Sequence, residues 1–269
     1  MKIALAQFSA GPDKQANLRW MVDLTAQAAG AGAAVVLFPE CSMARLPPEV
    51  SLAPVAEPLD GPFVSELAGA ARRQGVAVVA GVYESIPGDH HVFNTAVVLN
   101  AEGARLGAYR KIHLYDAFGY RESDRMRPAD GGTLLFTAGG TVFGVETCYD
   151  VRFPELSRHL AVSGADVILL PAAWVHGPLK ESHWEVLVRA RAIENTVYVA
   201  AAGLAGRPHT GCSMLVDPMG VPVVRAGEVE SLLLGEVDLQ CTQAVRRLNP
   251  SLENARPDVY ARWRPAVMA

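Results

Sequence analysis

Three potentially reactive side chains stand at similar places in this sequence, each at or just beyond the end of a strand-like run. Glu40 follows VVLFP, Lys111 follows RLGAYR and Cys148 follows FGVET. In open α/β sheets, ligands collect outside the carboxyl ends of the strands, so such runs would bring these three side chains together. They are a carboxylate base, a cation and a thiol nucleophile.

A cysteine by itself is most often an inert, buried side chain, so Cys148 needs partners to be reactive. A free thiol has a pKa of about 8.5 and attacks a carbonyl well only as the thiolate. Glu40 can accept the thiol proton, and the Lys111 ammonium can stabilise both the thiolate and the oxyanion that follows attack. An abrupt exit from the strand at Cys148 would leave the N–H of Tyr149 free as a second oxyanion donor.

The elements that must position these side chains are short strands alternating with helices. Helices are predicted near residues 14–29, 63–74, 154–163 and 180–195. The predicted strands are KIALAQF, AVVLFPE, VAVVAGVYE, NTAVVLN, TVFGVETC, ADVILLPAA, VYVAAAG, CSMLVDP and LLLGEVDL. Several are almost wholly apolar, which is typical of strands covered on both faces. The pattern predicts an α/β fold with two packed sheets and helices on both outer faces, a four-layer αββα sandwich.

Two kinds of connection complete this prediction. The segments NAEG at 100–103 and DPMG at 217–220 separate strand-like runs and are typical of hairpin turns. Residues 112–132 form a long polar stretch without clear periodicity, and long irregular loops in compact domains are often functional. We expect that loop near the site.

Composition favours a small-molecule enzyme over a binder of nucleic acid or membrane. The chain has 269 residues, 50% of them hydrophobic, and a net charge of −4, with its Lys and Arg residues scattered. This distribution offers no basic patch for nucleic acid or an anionic membrane. No apolar stretch approaches the roughly 18 residues of a membrane span, and the N-terminal run is too short for a signal peptide. One domain spanning residues 1–269 is expected.

Cysteine and histidine usage predicts neither a metal nor a disulfide framework. The four cysteines are far apart and form no CxxC pair, which favours a reducing, cytoplasmic location. The adjacent His90 and His91 are expected to point in different directions, and the seven histidines supply no convincing ligand set. We therefore expect no cofactor.

The segments VVLFPE, YRKIHLYD and CYDVRFPEL together resemble the nitrilase superfamily of carbon–nitrogen hydrolases. Further matches, such as HWEVLVRARAIENTVYVAAAG, extend the resemblance over almost the whole chain. It implies that Glu40, Lys111 and Cys148 form a Glu-Lys-Cys triad on an αββα sandwich. It also implies that Glu122, in the loop segment YRESDRMRPADGG, is the family's second glutamate, which would orient the substrate nitrogen or Lys111.

Within that superfamily, RKIHLYD and CYDVRFPELSRHLAVSGADVILLPAAW look most like the Nit-type amidase branch, which includes ω-amidases and deaminated glutathione amidases. The resemblance implies hydrolysis of an amide through a thioester, with release of ammonia or an amine. An N-carbamoyl amino acid amidohydrolase of the same superfamily is the alternative. Relatives commonly pair through helices beside the site, so a homodimer is expected, with the C-terminal tail from about 245 to 269 reaching the partner subunit.

Further residues are candidates for binding the substrate. The resemblance places the segment of Trp174 at the substrate cleft, with a core side chain as the alternative. A substrate carboxylate would suit an arginine fork, and Arg121, Arg125, Arg127 and Arg152 are the candidates, with structural ion pairs as the alternative for each.

Glu146 departs from the family pattern, in which the two positions before the cysteine are usually apolar or small. With the period-2 alternation of a strand, Glu146 and Cys148 share a face, which would place an extra carboxylate near the site. A hydrogen-bonded carboxylate that faces solvent or a neighbouring chain is the alternative.

Two readings from other classes stay open. Metal-dependent phosphoesterases use a similar sandwich but need Asp, Asn and His at the strand ends. A catalytically silent scaffold would keep the fold for partner binding, against which the intact set of Glu40, Lys111 and Cys148 argues.

Overall fold

The computed structural model describes residues 1–263 of the chain. The strands are β1 (Lys2–Gln7), β2 (Val35–Leu37), β3 (Ala77–Ser85), β4 (Val92–Leu99), β5 (Arg105–Arg110), β6 (Asp116–Ala117), β7 (Tyr120–Arg121), β8 (Leu134–Ala138), β9 (Thr141–Val145), β10 (Val167–Ala172), β11 (Tyr198–Gly203), β12 (Met214–Val216), β13 (Pro222–Arg225) and β14 (Ser231–Glu236). The helices are α1 (Lys14–Gly30), α2 (Pro62–Gln74), α3 (Pro154–Val162), α4 (Lys180–Asn195), α5 (Leu239–Leu248) and α6 (Pro257–Tyr260).

Twelve of these strands form two six-stranded sheets of matching design. The first sheet has the order β14-β1-β2-β3-β4-β5, and the second has the order β13-β12-β11-β10-β9-β8. Strands β1, β2 and β3 are parallel, as are β9, β10 and β11, whereas the outer strands of both sheets pair antiparallel. Each sheet therefore aligns the carboxyl ends of its central parallel strands along one edge.

The sheets pack face to face, with α1 and α2 outside the first and α3 and α4 outside the second. In β1, Ile3 and Leu5 join a cluster shared with the second sheet, whereas Ala4 and Ala6 join the cluster under α1 and α2. A strand buried on both faces needs apolar residues at every position, as the sequence indicated. The predicted αββα sandwich is confirmed.

The helices begin and end where local chemistry favours it. Asp13 caps α1 by accepting hydrogen bonds from the backbone N–H groups of Gln15 and Ala16. Pro62 opens α2, and Gly75 ends it in the left-handed conformation that glycine adopts without strain. All four predicted helices are present within two residues of their expected bounds.

Several elements escape the sequence prediction, among them β8, β13 and α5, because each of these is short and only partly buried. Strands β8 and β13 lie at one edge each of the second sheet and keep exposed residues along their length. Helix α5 buries only Thr242 and Val245. Edge and surface elements carry a weak apolar pattern, which is the main signal available in a sequence.

The beginning of the C-terminal tail packs against its own chain. Arg246 of α5 donates from Nε to the carbonyl of Thr196 and from Nη2 to that of Ala165. Residues 264–269, to which the prediction of a partner-reaching tail also applies, lie outside the described residues. No helix within residues 1–263 combines the length and the apolar character needed to cross a membrane.

Candidate active site

A buried lysine lies between two carboxylates at the carboxyl edge of the first sheet. Lys111 directly follows β5, and its Nζ lies 2.8 Å from Glu40 Oε1 and 2.8 Å from Glu122 Oε2. Glu40 lies beyond the end of β2, and Glu122 belongs to the loop predicted to lie near the site. All three side chains are almost fully buried. The structure thus brings together three of the predicted site residues.

Asn94 of β4 links the two carboxylates, and the sequence analysis did not identify it. Its Nδ2 donates to Glu40 Oε1 at 2.7 Å and to Glu122 Oε1 at 2.9 Å. The other oxygen of Glu40 accepts from the N–H of Ala173 at 2.8 Å, which joins the two sheets. The available signal was an asparagine inside an otherwise apolar strand, since a buried amide needs partners.

The charges of the cluster stabilise one another despite burial. Burial alone would raise the pKa of Glu40, but the Lys111 ammonium and hydrogen bonds from Lys111, Cys148 and Asn94 hold that pKa below its ordinary value. Burial would lower the pKa of Lys111, yet Glu122 and Glu40 keep it well above its usual range. Glu40 and Lys111 therefore form an ionised pair at neutral pH, and Glu122 Oε2 lies 2.8 Å from the same ammonium.

Cys148 faces this cluster from a strained turn of the second sheet. Strand β9 ends at Val145, and Cys148 begins a short 3-10 turn with φ at 48°. A left-handed conformation is uncommon for a residue other than glycine and is often found at functional sites. The first N–H groups of a helical turn have no partner within that turn, so the position of Tyr149, next after Cys148, suits the predicted oxyanion donor.

The resting thiol is neutral. Burial and the neighbouring Glu40 carboxylate raise the pKa of Cys148 well above its ordinary value, and the opposing effect of Lys111 is smaller. Attack on a carbonyl therefore requires that the proton leave as the bond to sulfur forms, and Glu40 is ionised and positioned to accept it.

The carboxylate of Asp150 fixes the turn through hydrogen bonds, and the sequence analysis did not identify this residue either. Its fully buried carboxylate accepts from the Thr147 N–H at 2.9 Å and from the Tyr109 hydroxyl at 2.7 Å. It also accepts from the N–H of His113 at 3.1 Å. These bonds come from β5, from the segment after it and from the turn itself, so Asp150 ties Cys148 to the strand that carries Lys111.

Comparison with known proteins agrees with this geometry. The family model described as carbon-nitrogen hydrolase matches residues 2–247. The chain belongs to the carbon–nitrogen hydrolase family. It is 37% identical over 258 residues to a deaminated glutathione amidase of Escherichia coli, covering 95% of this chain and 97% of the relative. It is 40% identical over 265 residues to a hydrolase of Mycobacterium tuberculosis, covering 91% and 92%.

Solved structures give the same result. An amidase of the nitrilase superfamily from Nesterenkonia has a TM-score of 0.84 and 30% identity, covering 98% of this chain and 97% of that one. This chain is therefore an enzyme of the carbon–nitrogen hydrolase family whose relatives are amidases, and the Nesterenkonia amidase has an active-site cysteine. The predicted family and reaction class are confirmed.

Of the predicted substrate-binding residues, the structure brings Arg152 and Trp174 together beside Cys148. The Arg152 guanidinium lies 4.8 Å from the centre of the Trp174 ring, and Arg152 ends the turn that Cys148 begins. Arg121 is exposed and 3.5 Å from Asp124, so the structure does not place it with the cluster.

The other two arginines have structural partners. Arg125 donates from Nη1 to the carbonyls of Pro47 and Val50, and Arg127 pairs with Asp89 at 2.9 Å. Both arginines therefore fit the alternative of a structural role better than substrate binding.

The structure corrects the prediction that Glu146 shares a face with Cys148. Because β9 ends at Val145, strand alternation no longer applies between residues 146 and 148. The buried Glu146 carboxylate accepts from Ser157 Oγ of α3 at 2.6 Å. Among the hydrogen bonds of residues 1–263, none joins Glu146 to Lys111 or its carboxylates. Burial raises the pKa of Glu146 to about 8, although the Ser157 hydrogen bond opposes this.

The two adjacent histidines also differ from expectation. The rings of His90 and His91 lie 4.0 Å apart, and one ligand atom from each of Asp89, His90 and His91 lies within 4.8 Å of the others. Residues in the β3–β4 loop do not follow the alternation of a strand. Asp89 already pairs with His91 and with Arg127, both at 2.9 Å, so the group is a surface ion-pair network.

Replacing Asn94 by Asp tests the bridge between the two carboxylates. The variant removes a donor of two short bonds and adds a third negative charge around one ammonium, so we expect kcat/KM for amide hydrolysis to fall by about 10- to 100-fold. Ammonia release measures the effect. The exposed Asn254→Asp is the matched control, and equal rates for the two variants would contradict the assignment.

Replacing Glu146 by Gln tests the buried carboxyl group. Its folded pKa of about 8 exceeds the ordinary value of 4.5, so the folded state holds a proton that the unfolded state has lost between these values. The stability of the wild type therefore falls, through this group, as pH rises from 4.5 to 8. Gln resembles the neutral acid, so the melting temperature of the variant relative to wild type should rise over that range. A difference independent of pH, as expected for the exposed control Glu253→Gln, would contradict this.

Proposed function

We propose that Cys148 attacks the carbonyl carbon of a small amide while Glu40 accepts the thiol proton. The supporting observation is the ionised cluster in which Lys111 lies 2.8 Å from Glu40, opposite a neutral Cys148 on a strained turn. The Lys111 ammonium and the Tyr149 N–H stabilise the oxyanion of the tetrahedral intermediate.

The remaining steps use the same carboxylate as acid and then as base. Glu40 returns its proton to the leaving nitrogen, the C–N bond breaks, and the acyl group stays on Cys148 as a thioester. Water then gives a proton to Glu40 and attacks the thioester carbon. The C–S bond breaks, Glu40 returns the proton to sulfur, and the carboxylic acid leaves. Glu122 positions the Lys111 ammonium throughout, since it holds Nζ by both oxygens at 2.8 and 3.1 Å.

The proposed substrate is an amide of the ω-amide or deaminated-glutathione kind. Its support is the relative in Escherichia coli, a deaminated glutathione amidase matched along almost its full length. The Nesterenkonia amidase binds butyramide in a cysteine-to-alanine mutant, and another mutant carries the acetamide moiety of fluoroacetamide on its active-site cysteine. An N-carbamoyl amino acid would use the same steps and leaves a carbamoyl group on Cys148 instead.

We also propose a homodimer formed through α3 and α4 and a cytoplasmic location. Val162 of α3 and Val186 of α4 are 59% and 61% exposed, which leaves apolar surface for a partner subunit. Sedimentation should show a dimer for the wild type and a weakened dimer for Val186→Glu. A monomeric wild type would contradict the proposal.

The proposed cytoplasmic location is supported by the cysteines. The four cysteines of the described residues are free thiols, as suits a reducing compartment. Cell fractionation tests this location.

The thioester is tested by intact mass of the Glu40→Gln and Cys148→Ala variants after mixing with amides. Losing the base slows both chemical steps by about 100- to 10,000-fold, so Glu40→Gln should carry a stalled acyl adduct and Cys148→Ala none. The exposed Glu49→Gln is the matched control and should turn over as wild type. Undiminished ammonia release by Cys148→Ala would contradict the mechanism.

A further inference from the structure

Lys180 is a second buried cation beside the site, and nothing in the proposed chemistry uses it. It is 2% exposed, and its Nζ donates to the Tyr115 hydroxyl at 2.7 Å. The same Nζ lies 4.4 Å from the centre of the Tyr115 ring, 5.2 Å from that of Phe118 and 5.3 Å from that of Trp174. The ammonium is therefore enclosed by aromatic rings.

This ammonium has no carboxylate partner. Within residues 1–263, the ion pairs of 4.0 Å or less include Lys14 and Lys111 but not Lys180. An ammonium has three donors, and one hydrogen bond to a hydroxyl leaves its charge uncompensated. Burial lowers the pKa of Lys180 and Arg152 adds to that effect, although Cys148 and the Glu181 carboxylate oppose it. A buried charge without a counter-ion is costly, so its presence calls for an explanation.

The local backbone keeps Lys180 in this position although the position is unfavourable in two further ways. It is the first residue of α4, where the helix dipole disfavours a cation. The preceding Leu179 is 72% exposed and adopts a left-handed conformation with φ at 58°. Gly177 makes room for the lysine stem, since a Cβ there would lie 2.7 Å from Lys180 Cδ.

Arg152 is a second cation in the same aromatic enclosure. Its guanidinium lies 4.8 Å from the centre of the Trp174 ring and 6.0 Å from that of Phe118, two rings that Lys180 also approaches. Its Nε is buried without a hydrogen-bond partner, and its Nη2 lies 3.5 Å from His183 Nδ1. Like Lys180, it takes part in no ion pair within residues 1–263.

Both cations adjoin the reacting atoms. Arg152 ends the turn that Cys148 begins, and Trp174 follows Ala173, whose N–H donates to Glu40. Lys180 lies close enough to Cys148 that a negative charge on this sulfur would raise the pKa of the lysine. A group bound between Lys180 and Arg152 would thus belong to a substrate whose carbonyl reaches Cys148.

We propose that Lys180, together with Arg152, binds a carboxylate on the amide substrate and makes Lys180 a specificity-determining residue. The inference rests on the proposed amidase function and assigns the residues that bind the carboxylate of such a substrate. Charge-assisted hydrogen bonds to such a carboxylate compensate both cations at once. A neutral amide of the same size leaves both unpaired, which disfavours its binding.

Calorimetric titration of the Cys148→Ala protein tests binding without turnover. The probes are succinamate and glutaramate, with butyramide and pentanamide as neutral counterparts in which a methyl group replaces the carboxylate. We expect at least one of the two acids to bind about 10- to 100-fold more tightly than its counterpart, since hydrogen bonds to charged groups are strong. Equal affinities within both pairs would overturn the proposal.

Adding Lys180→Met to that protein should remove most of the preference, whereas Lys180→Arg should retain part of it. The exposed Lys2→Met is the matched control and should keep the full preference. A preference unchanged by Lys180→Met would overturn the role of Lys180. The melting temperature of each variant is measured alongside. If Lys180→Met does not fold, Lys180→Gln, which keeps a donor for Tyr115, is used instead, and the ratio of the affinities for acid and neutral amide is compared in the same way.

Turnover separates this inference from the proposed function. In the protein with Cys148 intact, Lys180→Met should raise KM for the preferred acid far more than it lowers kcat. A purely structural role for Lys180 would instead change the parameters for acid and neutral amide alike, and that result would overturn the proposal. If the acids bind in a Lys180-dependent way but no amide is hydrolysed, the proposed function fails while the anion site stands.

Discussion

The burial of the Lys111 ammonium between Glu40 and Glu122 is the constraint on which the site depends. Three charges removed from water are stable only if their hydrogen bonds are complete, since the desolvation of each ion is costly. Here Asn94 links the two carboxylates, and the Ala173 N–H from the other sheet completes Glu40. The sandwich therefore has to position several chain segments accurately before the cluster can exist.

The nucleophile is held by different means. Cys148 sits in a left-handed conformation that its neighbours enforce, chiefly through the bonds of Thr147 and Tyr109 to the buried Asp150. A rigid turn keeps the protonated thiol facing Glu40. The thiol therefore becomes a nucleophile only when a substrate carbonyl is bound. The aromatic enclosure around Lys180 shares the Trp174 ring with Arg152, the last residue of the same turn, and both cations lack a carboxylate partner among residues 1–263.

Sequence reasoning found the reactive groups because their types and addresses are local properties. Glu40, Lys111 and Cys148 each follow an apolar run, and such runs predict strands with some certainty. It missed Asn94, Asp150 and Lys180, whose importance lies in their contacts with residues distant in the chain. Glu146 was misplaced because strand alternation was extended two residues past Val145, where the strand had ended.

The sequence by itself determined the layers of the fold, the four main helices and the family, and it supplied the three residues proposed as the triad, because periodicity and short motifs are properties of consecutive residues. Only the tertiary structure decided which carboxylates share Lys111, that Glu146 faces α3, and that Lys180 is buried without a counter-ion. Burial and ion pairing depend on distances between segments far apart in the chain, and a sequence pattern does not contain those distances.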